Sequence, residues 1–336
     1  MKILIVRFSS IGDIVLTTPV VRCLKQQTGA TIHYLTFSRF AQVVEHNPAI
    51  DKLYTIEKDL SEVVPQLRRE RYNLVVDLHN NLRTLLLKMR LRRRSIGFRK
   101  LNVQKYLLVR LGIDRLPPVH IVDRYLETVQ SLGVTNDGLG LEYHLAPAVP
   151  ESIGKLLPAP WSDGFVAIVT GGRYATKIYP ADLLAEVVRQ LPLPVVLLGG
   201  PEDQQRAQEV TNAAPKQKVL NGCGSFSLHE SAMVVSKAKL VITNDTGLMH
   251  IAAAFGKKII SVWGNTVPQF GMYPYMPHKP SHYSKIVEVK GLPCRPCSKI
   301  GYQQCPEKHF SCMHEIKPNT ITETALQMLG HKHEHP

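Results

Sequence analysis

The feature that most limits what this chain can fold into is an alternation of short apolar segments with helical periodicity. The pattern runs once through the N-terminal half and then restarts. In the first half, residues 2–8 (KILIVRF), 31–37, 52–56 and 73–78 read as strands, and a helix is expected from Asp13 to about Gln27. In the second half, residues 165–170 (FVAIVT), 194–198, 240–243 and 258–262 read as strands, with helices over 180–191, 202–212, 227–236 and 247–255. Strand and helix alternating at this spacing predict parallel sheets covered by helices on both faces. The proline-bearing stretches 145–150 (LAPAVP) and 158–160 (PAP) frame the expected linker. The reading is α/β, with two Rossmann-like domains facing a cleft, over residues 1–150 and 161–330. A length of 336 residues, at roughly 150 per domain, agrees with two.

Hydrophobic residues make up 44% of the chain, which excludes a disordered tail. A chain of this size needs no disulfides to fold, and no apolar run approaches the roughly 20 residues of a membrane span. The apolar run at the N-terminus is too short for a signal peptide, so a cytoplasmic protein is expected. The net charge of +14 calls for an anionic partner. It is unevenly placed: residues 78–113 contain no Asp or Glu but carry Arg83, Lys88, Arg90, Arg92, Arg93, Arg94, Arg99, Lys100, Lys105 and Arg110 among many leucines. Such a mixture suits nucleic-acid phosphates, an anionic membrane surface, or amphipathic helices with basic exposed faces.

In open parallel sheets ligands bind beyond the carboxyl ends of the strands, so chemistry is sought in the loops that follow them. The first loop, Ser9-Ser10-Ile11-Gly12-Asp13, places one carboxylate at a helix start, where it serves either as a first-turn acid or as a base toward a substrate hydroxyl. The second, from Gly171 to Pro180, combines glycines with Arg173 and Lys177 and suits a phosphate, although it lacks the spacing of a Walker loop. The third, Asn244-Asp245-Thr246-Gly247-Leu248-Met249-His250, opens a helix with amides that suit a diphosphate. Asp245 and His250 fall about one turn apart there. The first loop also lacks the Gly-x-Gly-x-x-Gly of a nicotinamide dehydrogenase.

Cys23 and Cys223 stand alone, whereas Cys294, Cys297, Cys305 and Cys312 lie close together with His309 among them. That spacing admits a structural zinc or a loop packed with reduced thiols. The terminal His331–Pro336 segment reads as a tail rather than a metal site.

Taken in order, the blocks Phe8-Ser9-Ser10-Ile11-Gly12-Asp13-Ile14-Val15-Leu16-Thr17-Thr18-Pro19, Thr176-Lys177-Ile178-Tyr179-Pro180, Leu198-Gly199-Gly200-Pro201-Glu202-Asp203, Asn244 to Ala254, and Trp263-Gly264-Asn265-Thr266-Val267-Pro268 resemble glycosyltransferase family nine. These are the ADP-heptose:lipopolysaccharide heptosyltransferases, with a GT-B fold. The resemblance implies an N-terminal acceptor domain, a C-terminal nucleotide-sugar domain and an inverting transfer of heptose, or a related sugar, from an ADP-sugar to a lipopolysaccharide core precursor.

It further implies Asp13 as general base. Lys177 and the amides at Thr246 and Gly247 would stabilise the leaving diphosphate, Glu202 would bind ribose, and Asp245 and His250 would contact the donor. No Asp-x-Asp pair occurs in the chain, which fits catalysis without a metal cofactor. The acceptor would be an anionic inner-core glycolipid. The basic stretch, with Arg92, Arg93 and Arg94, would then meet it at the inner face of the cytoplasmic membrane rather than bind nucleic acid. Two alternatives remain at this stage: an epimerase-like GT-B enzyme acting on a sugar nucleotide, and a non-enzymatic nucleic-acid binder. The second leaves the three loops without a role.

Overall fold

The computed structural model describes residues 1–149, 154, 156–215 and 218–330. Pro150 of the expected linker and the His331–Pro336 tail lie outside the described residues. The chain divides into two compact units, Met1–Leu101 with Pro118–His144, and Asn102–Pro117 with Leu145–Pro336. The second half of the basic stretch, including Lys105 and Arg110, therefore groups with the second unit and not with the first, as its position in the sequence suggested.

The first unit is built on five strands: β1 (Lys2–Val6), β2 (Thr31–Phe37), β3 (Lys52–Ile56), β4 (Leu74–Asp77) and β5 (Ser95–Gly97). They lie in the order β3-β2-β1-β4-β5, and every pairing is parallel. The interior strands β1 and β4 are almost wholly buried, as expected of a sheet covered on both faces. Its helices are α1 (Ile11–Val15), α2 (Thr18–Thr28), α3 (Val64–Arg69), α4 (Leu82–Leu91) and α6 (Ile121–Glu127); α5 (Asn102–Leu111) goes with the second unit. The single helix expected after Asp13 is two. Pro19 sits in the first turn of α2, where its missing N–H costs nothing, and it cannot continue a helix from α1. The hydroxyl of Thr18 donates to the Val15 carbonyl, and the Ile14 carbonyl accepts both the Thr17 N–H and the Thr17 hydroxyl, which closes the end of α1.

The second unit carries six strands, β6 (Val166–Val169), β7 (Val195–Leu198), β8 (Val219–Asn221), β9 (Leu240–Asn244), β10 (Ile259–Trp263) and β11 (Ser284–Glu288). Their order is β11-β10-β9-β6-β7-β8, again all parallel. Helices α7 (Ala181–Gln190), α8 (Gln204–Ala213), α9 (Leu228–Lys237), α10 (Gly247–Ala254), α11 (Ser311–His314) and α12 (Pro318–Leu329) complete it. Val166, Ile168, Leu197, Ile242 and Ile260 from the sheet pack with Leu184, Val187, Val188 and Ile321 from the helices in its core. Three strands, β5, β8 and β11, are absent from the sequence reading. All three are edge strands, and β5 and β8 are only three residues long, so they lack the apolar run that marks a buried strand.

Strand order decides where each unit binds. In the first sheet the direction of winding reverses between β1 and β4, and in the second between β6 and β9. The loops after adjacent strands part at such a switch point and leave room for a ligand. The loops so selected begin at Arg7, Leu78, Thr170 and Asp245.

Candidate active site

In the first unit, β1 delivers Arg7 and α1 begins two residues before Asp13. The two side chains form an ion pair, with Arg7 Nη2 2.6 Å from Asp13 Oδ1. Ser10 Oγ and the Ser10 backbone N–H donate to the other carboxylate oxygen at 2.8 and 3.2 Å. Arg7 is itself fixed: Nη1 donates to the Leu78 carbonyl and to Tyr125 Oη, and Nε to the Ser9 carbonyl. Burial alone would lower the Arg7 pKa, but Asp13 leads the groups that hold it raised. Asp13 is thus oriented and partly exposed at the carboxyl end of β1, with a permanently charged neighbour.

The loop after β4 contributes His79, which the sequence reading did not select. Its ring packs edge-on against Phe8, with centroids 5.4 Å apart. Burial, reinforced by the charges of Arg7 and Lys100, pushes its pKa down to about 4, so the imidazole is neutral at physiological pH. The preceding Asp77 is fully buried; one oxygen meets Lys88 at 2.9 Å and the other accepts from the N–H groups of His79 and Asn80. That closes the turn that presents His79. No motif signals His79, because its neighbours Arg7 and Phe8 arrive from a different strand.

Farther along, α4 ends with Arg92 in the left-handed region, and Arg92, Arg93 and Arg94 are all exposed. The same helix exposes Leu82 (72%), Leu85, Leu86 and Met89 (63%). These positions recur at i, i+3, i+4 and i+7, which puts them on one face.

In the second unit, Lys177 follows β6 and Asp245 follows β9. Lys177 Nζ lies 2.5 Å from Asp245 Oδ2, and Thr266 Oγ1 donates to the same oxygen at 3.0 Å. Buried Asn244 ties the two loops together: its amide donates to the carbonyls of Val169 and Gly171, and its oxygen accepts from the Tyr179 N–H. Thr246 is the N-cap of α10 and makes no side-chain cap bond, so its hydroxyl does not occupy the first-turn amides. His250 is only 2% exposed and sits in the buried stretch of α10 from Met249 to Ala253, unlike Asp245 at the helix start.

Glu202 is exposed, and its carboxylate leans over Gly200. Its neighbour Asp203, passed over in the sequence, is the buried acid. It accepts from the Gly200 N–H and pairs with Arg206, and burial raises its pKa. Asp203 also explains two glycines: a Cβ on Gly171 would lie 1.8 Å from its carboxylate, and one on Gly199 would lie 2.8 Å away. The signal was present as an acid three residues past Gly200, a capping-box position.

Cys23 and Cys223 are buried singly. Cys294, Cys297, Cys305 and Cys312 line one pocket together with His309 and Thr176. Arg295, between the first two cysteines, was also missed. Its guanidinium donates to the carbonyls of Gly264, Thr266 and Val289 and pairs with Glu288 at 2.7 Å.

A family model for glycosyltransferase family 9 (heptosyltransferase) matches residues 61–309. Lipopolysaccharide heptosyltransferase 1 of Campylobacter coli is 24% identical over 98% of this chain and 99% of its own length. Lipopolysaccharide heptosyltransferase 3 of Escherichia coli K12 is 26% identical over 76% of this chain and 80% of its own. Among solved structures, a family 9 glycosyltransferase from Veillonella parvula superposes with a TM-score of 0.79 at 24% identity, covering 98% of both chains. The E. coli ADP-heptose lipopolysaccharide heptosyltransferase II gives 0.75 at 19% identity, with the same coverage. The two parallel sheets are those of the GT-B fold, and the chain belongs to glycosyltransferase family 9.

Proposed function

We propose that this enzyme transfers heptose, with inversion, from ADP-heptose to a phosphorylated lipopolysaccharide core precursor. The observation that carries the reading is the Lys177–Asp245 pair at the switch point of the second sheet, beside the Thr246 and Gly247 amides that open α10. A lysine ammonium and helix N-terminal amides converging there are the groups a departing nucleoside diphosphate needs. The second unit is accordingly the donor side. Lys177 takes the developing negative charge, while Asp245, with Thr266, holds the lysine in place. Glu202, exposed beside Gly200, is the candidate for the ribose hydroxyls, and Asp203 shapes the loop beneath it. Buried His250 supports α10.

The first unit is the acceptor side. Asp13 removes the proton from the attacking hydroxyl, and direct attack on the anomeric carbon inverts it. Arg7 and Ser10 fix the carboxylate in one orientation so that it need not reorganise during the reaction. Charge neutralisation by Lys177, and a sequence without Asp-x-Asp, support catalysis with no metal cofactor.

Among the described residues no helix is long and apolar enough to cross a membrane. The apolar stripe of α4, flanked by Arg83 and Arg90 and followed by Arg92–Arg94, suits the surface of an anionic bilayer. We place the enzyme peripherally on the cytoplasmic face of the inner membrane, where it would meet its glycolipid acceptor.

The test is a transfer assay with ADP-heptose and heptose-deficient core glycolipid, read by ADP release and by the mass of the product. A heptose-sized mass gain that needs no added divalent metal is expected. ADP release unaffected by omitting the acceptor, or conversion of the sugar nucleotide alone, would overturn the reading in favour of an epimerase-like activity.

A further inference from the structure

We infer that Cys294, Cys297, Cys305 and Cys312 bind one soft transition-metal ion, zinc or iron, as a tetrathiolate. The four thiols come from different parts of residues 289–310 and the start of α11, yet all line one pocket. Residues 289–310 contain no helix or strand. Long segments without regular structure are usually functional ones, and no two of its cysteines form a disulfide. Four sulfurs with the Cys-x-x-Cys spacing at one end are the donor set that selects zinc or iron over harder cations.

His309 has a separate part. Its Nδ1 accepts from the Ser311 N–H at 3.0 Å, so the proton of the neutral ring sits on Nε2. Nε2 lies 3.9 Å from Cys294 Sγ. His309 is therefore a hydrogen-bond donor to a coordinated sulfur, and the ligands are the four cysteines. Among the described residues no three of these sulfur and nitrogen atoms lie within 4.8 Å of one another. Sulfurs about 2.3 Å from a tetrahedral zinc are about 3.8 Å apart, so binding draws the thiols inward and tightens the loop.

The loop reaches the donor side by two direct ties. Arg295 holds the carbonyls of Gly264 and Thr266, and the Thr266 hydroxyl donates to Asp245. Thr176, which precedes Lys177, exchanges hydrogen bonds with the backbone of Tyr302. Both members of the Lys177–Asp245 pair thus rest on the cysteine loop, and the ion acts as a positioning element for them. This second statement depends on the donor-side reading above; the metal site does not.

The experiment is elemental analysis of the full-length protein purified without chelator, and again after anaerobic reconstitution with zinc or ferrous iron. One zinc or iron per chain is expected, and cobalt substitution should give an intense sulfur-to-cobalt absorption. Cys297→Ser and Cys305→Ser should lose the ion, whereas His309→Gln should retain it and shift the cobalt band. Substoichiometric metal under both conditions, with all four thiols titrating at the same rate whether or not metal is added, would remove the site. A disulfide among them by mass spectrometry would do the same. Stripping the metal should weaken ADP binding about tenfold by calorimetry. An unchanged ADP affinity in stripped, folded protein would overturn the positioning role alone. Failure of intact protein to bind ADP at all would instead strike at the donor reading.

Discussion

Lys177 and Asp245, 68 positions apart in the chain, face each other as an ion pair across the ends of the adjacent strands β6 and β9, with Nζ 2.5 Å from Oδ2. Neither side chain is largely exposed, and Thr266 adds a hydrogen bond to the same carboxylate oxygen. The pair is neutral overall, and within it the Lys177 ammonium is the cation held at the point where the proposed reaction creates a negative charge.

Lys177→Met should therefore weaken ADP binding by roughly 10- to 100-fold, the range set by losing a charge-assisted hydrogen bond of about 1.5–3 kcal/mol. Asp245→Asn leaves the lysine charged but loosely held, so kcat should fall more than ADP affinity. Titration calorimetry alongside steady-state kinetics separates the two. Equal ADP affinity in Lys177→Met and the parent enzyme would contradict the assignment.

Asp13→Asn keeps the shape of the side chain and removes its basicity. The turnover number should drop by about 10²–10⁴-fold, the usual contribution of general-base catalysis, with ADP affinity nearly unchanged. Arg7→Lys should lower kcat less, because it loosens the carboxylate without removing it. Retention of full turnover by the Asp13 variant would exclude it as the base.

His79 links pH to stability. Its pKa in the folded protein is pushed down to about 4, against about 6.5 in an unfolded chain, so the unfolded state takes up the proton first as the pH falls. The stability supplied by the neutral ring is intact above pH 6.5 and is lost progressively towards pH 4. A loss of about 1–2 kcal/mol at pH 5 relative to pH 7.5 is expected for this residue, and His79→Gln should flatten that slope. Urea unfolding at the two pH values measures it; parallel slopes for parent and variant would refute the prediction.

Gly171 is a glycine because the Asp203 carboxylate occupies the space its Cβ would need. Gly171→Ala should cost about 1–3 kcal/mol of unfolding free energy by overpacking. The same change in an Asp203→Ala background should cost clearly less. Additive effects in this double-mutant cycle would show that the clash is not between these two residues.

If α4 meets the bilayer, Leu85→Glu with Met89→Glu should abolish sedimentation with anionic vesicles at all salt concentrations. Replacing Arg92, Arg93 and Arg94 by serine should instead remove its salt dependence. Binding that ignores both sets of changes would assign the stripe another use.

The parallel α/β class, the restart of the pattern and the loops that follow β1, β6 and β9 could all be read in the chain. Buried central strands write themselves as continuous apolar runs, and helix starts carry small or acidic residues. Three of the four edge strands, β5, β8 and β11, were illegible because they are short or half-exposed and have little apolar pattern to show. The break at Pro19 needed only a closer reading of one residue.

What local sequence could not supply was neighbourhood. Nothing along the chain says that β9 lies against β6, or β4 against β1, since strand order follows from how the helices pack over each sheet. That order brings Asp245 to Lys177 and His79 to the loop of Arg7 and Phe8. It also buries Asp203 rather than Glu202, and sets Arg295 beneath Thr266. The residue types came from the sequence, each with several uses open to it. The tertiary structure chose among those uses, because charge pairing, burial and hydrogen bonding depend on distances of a few ångströms between groups that the chain keeps far apart.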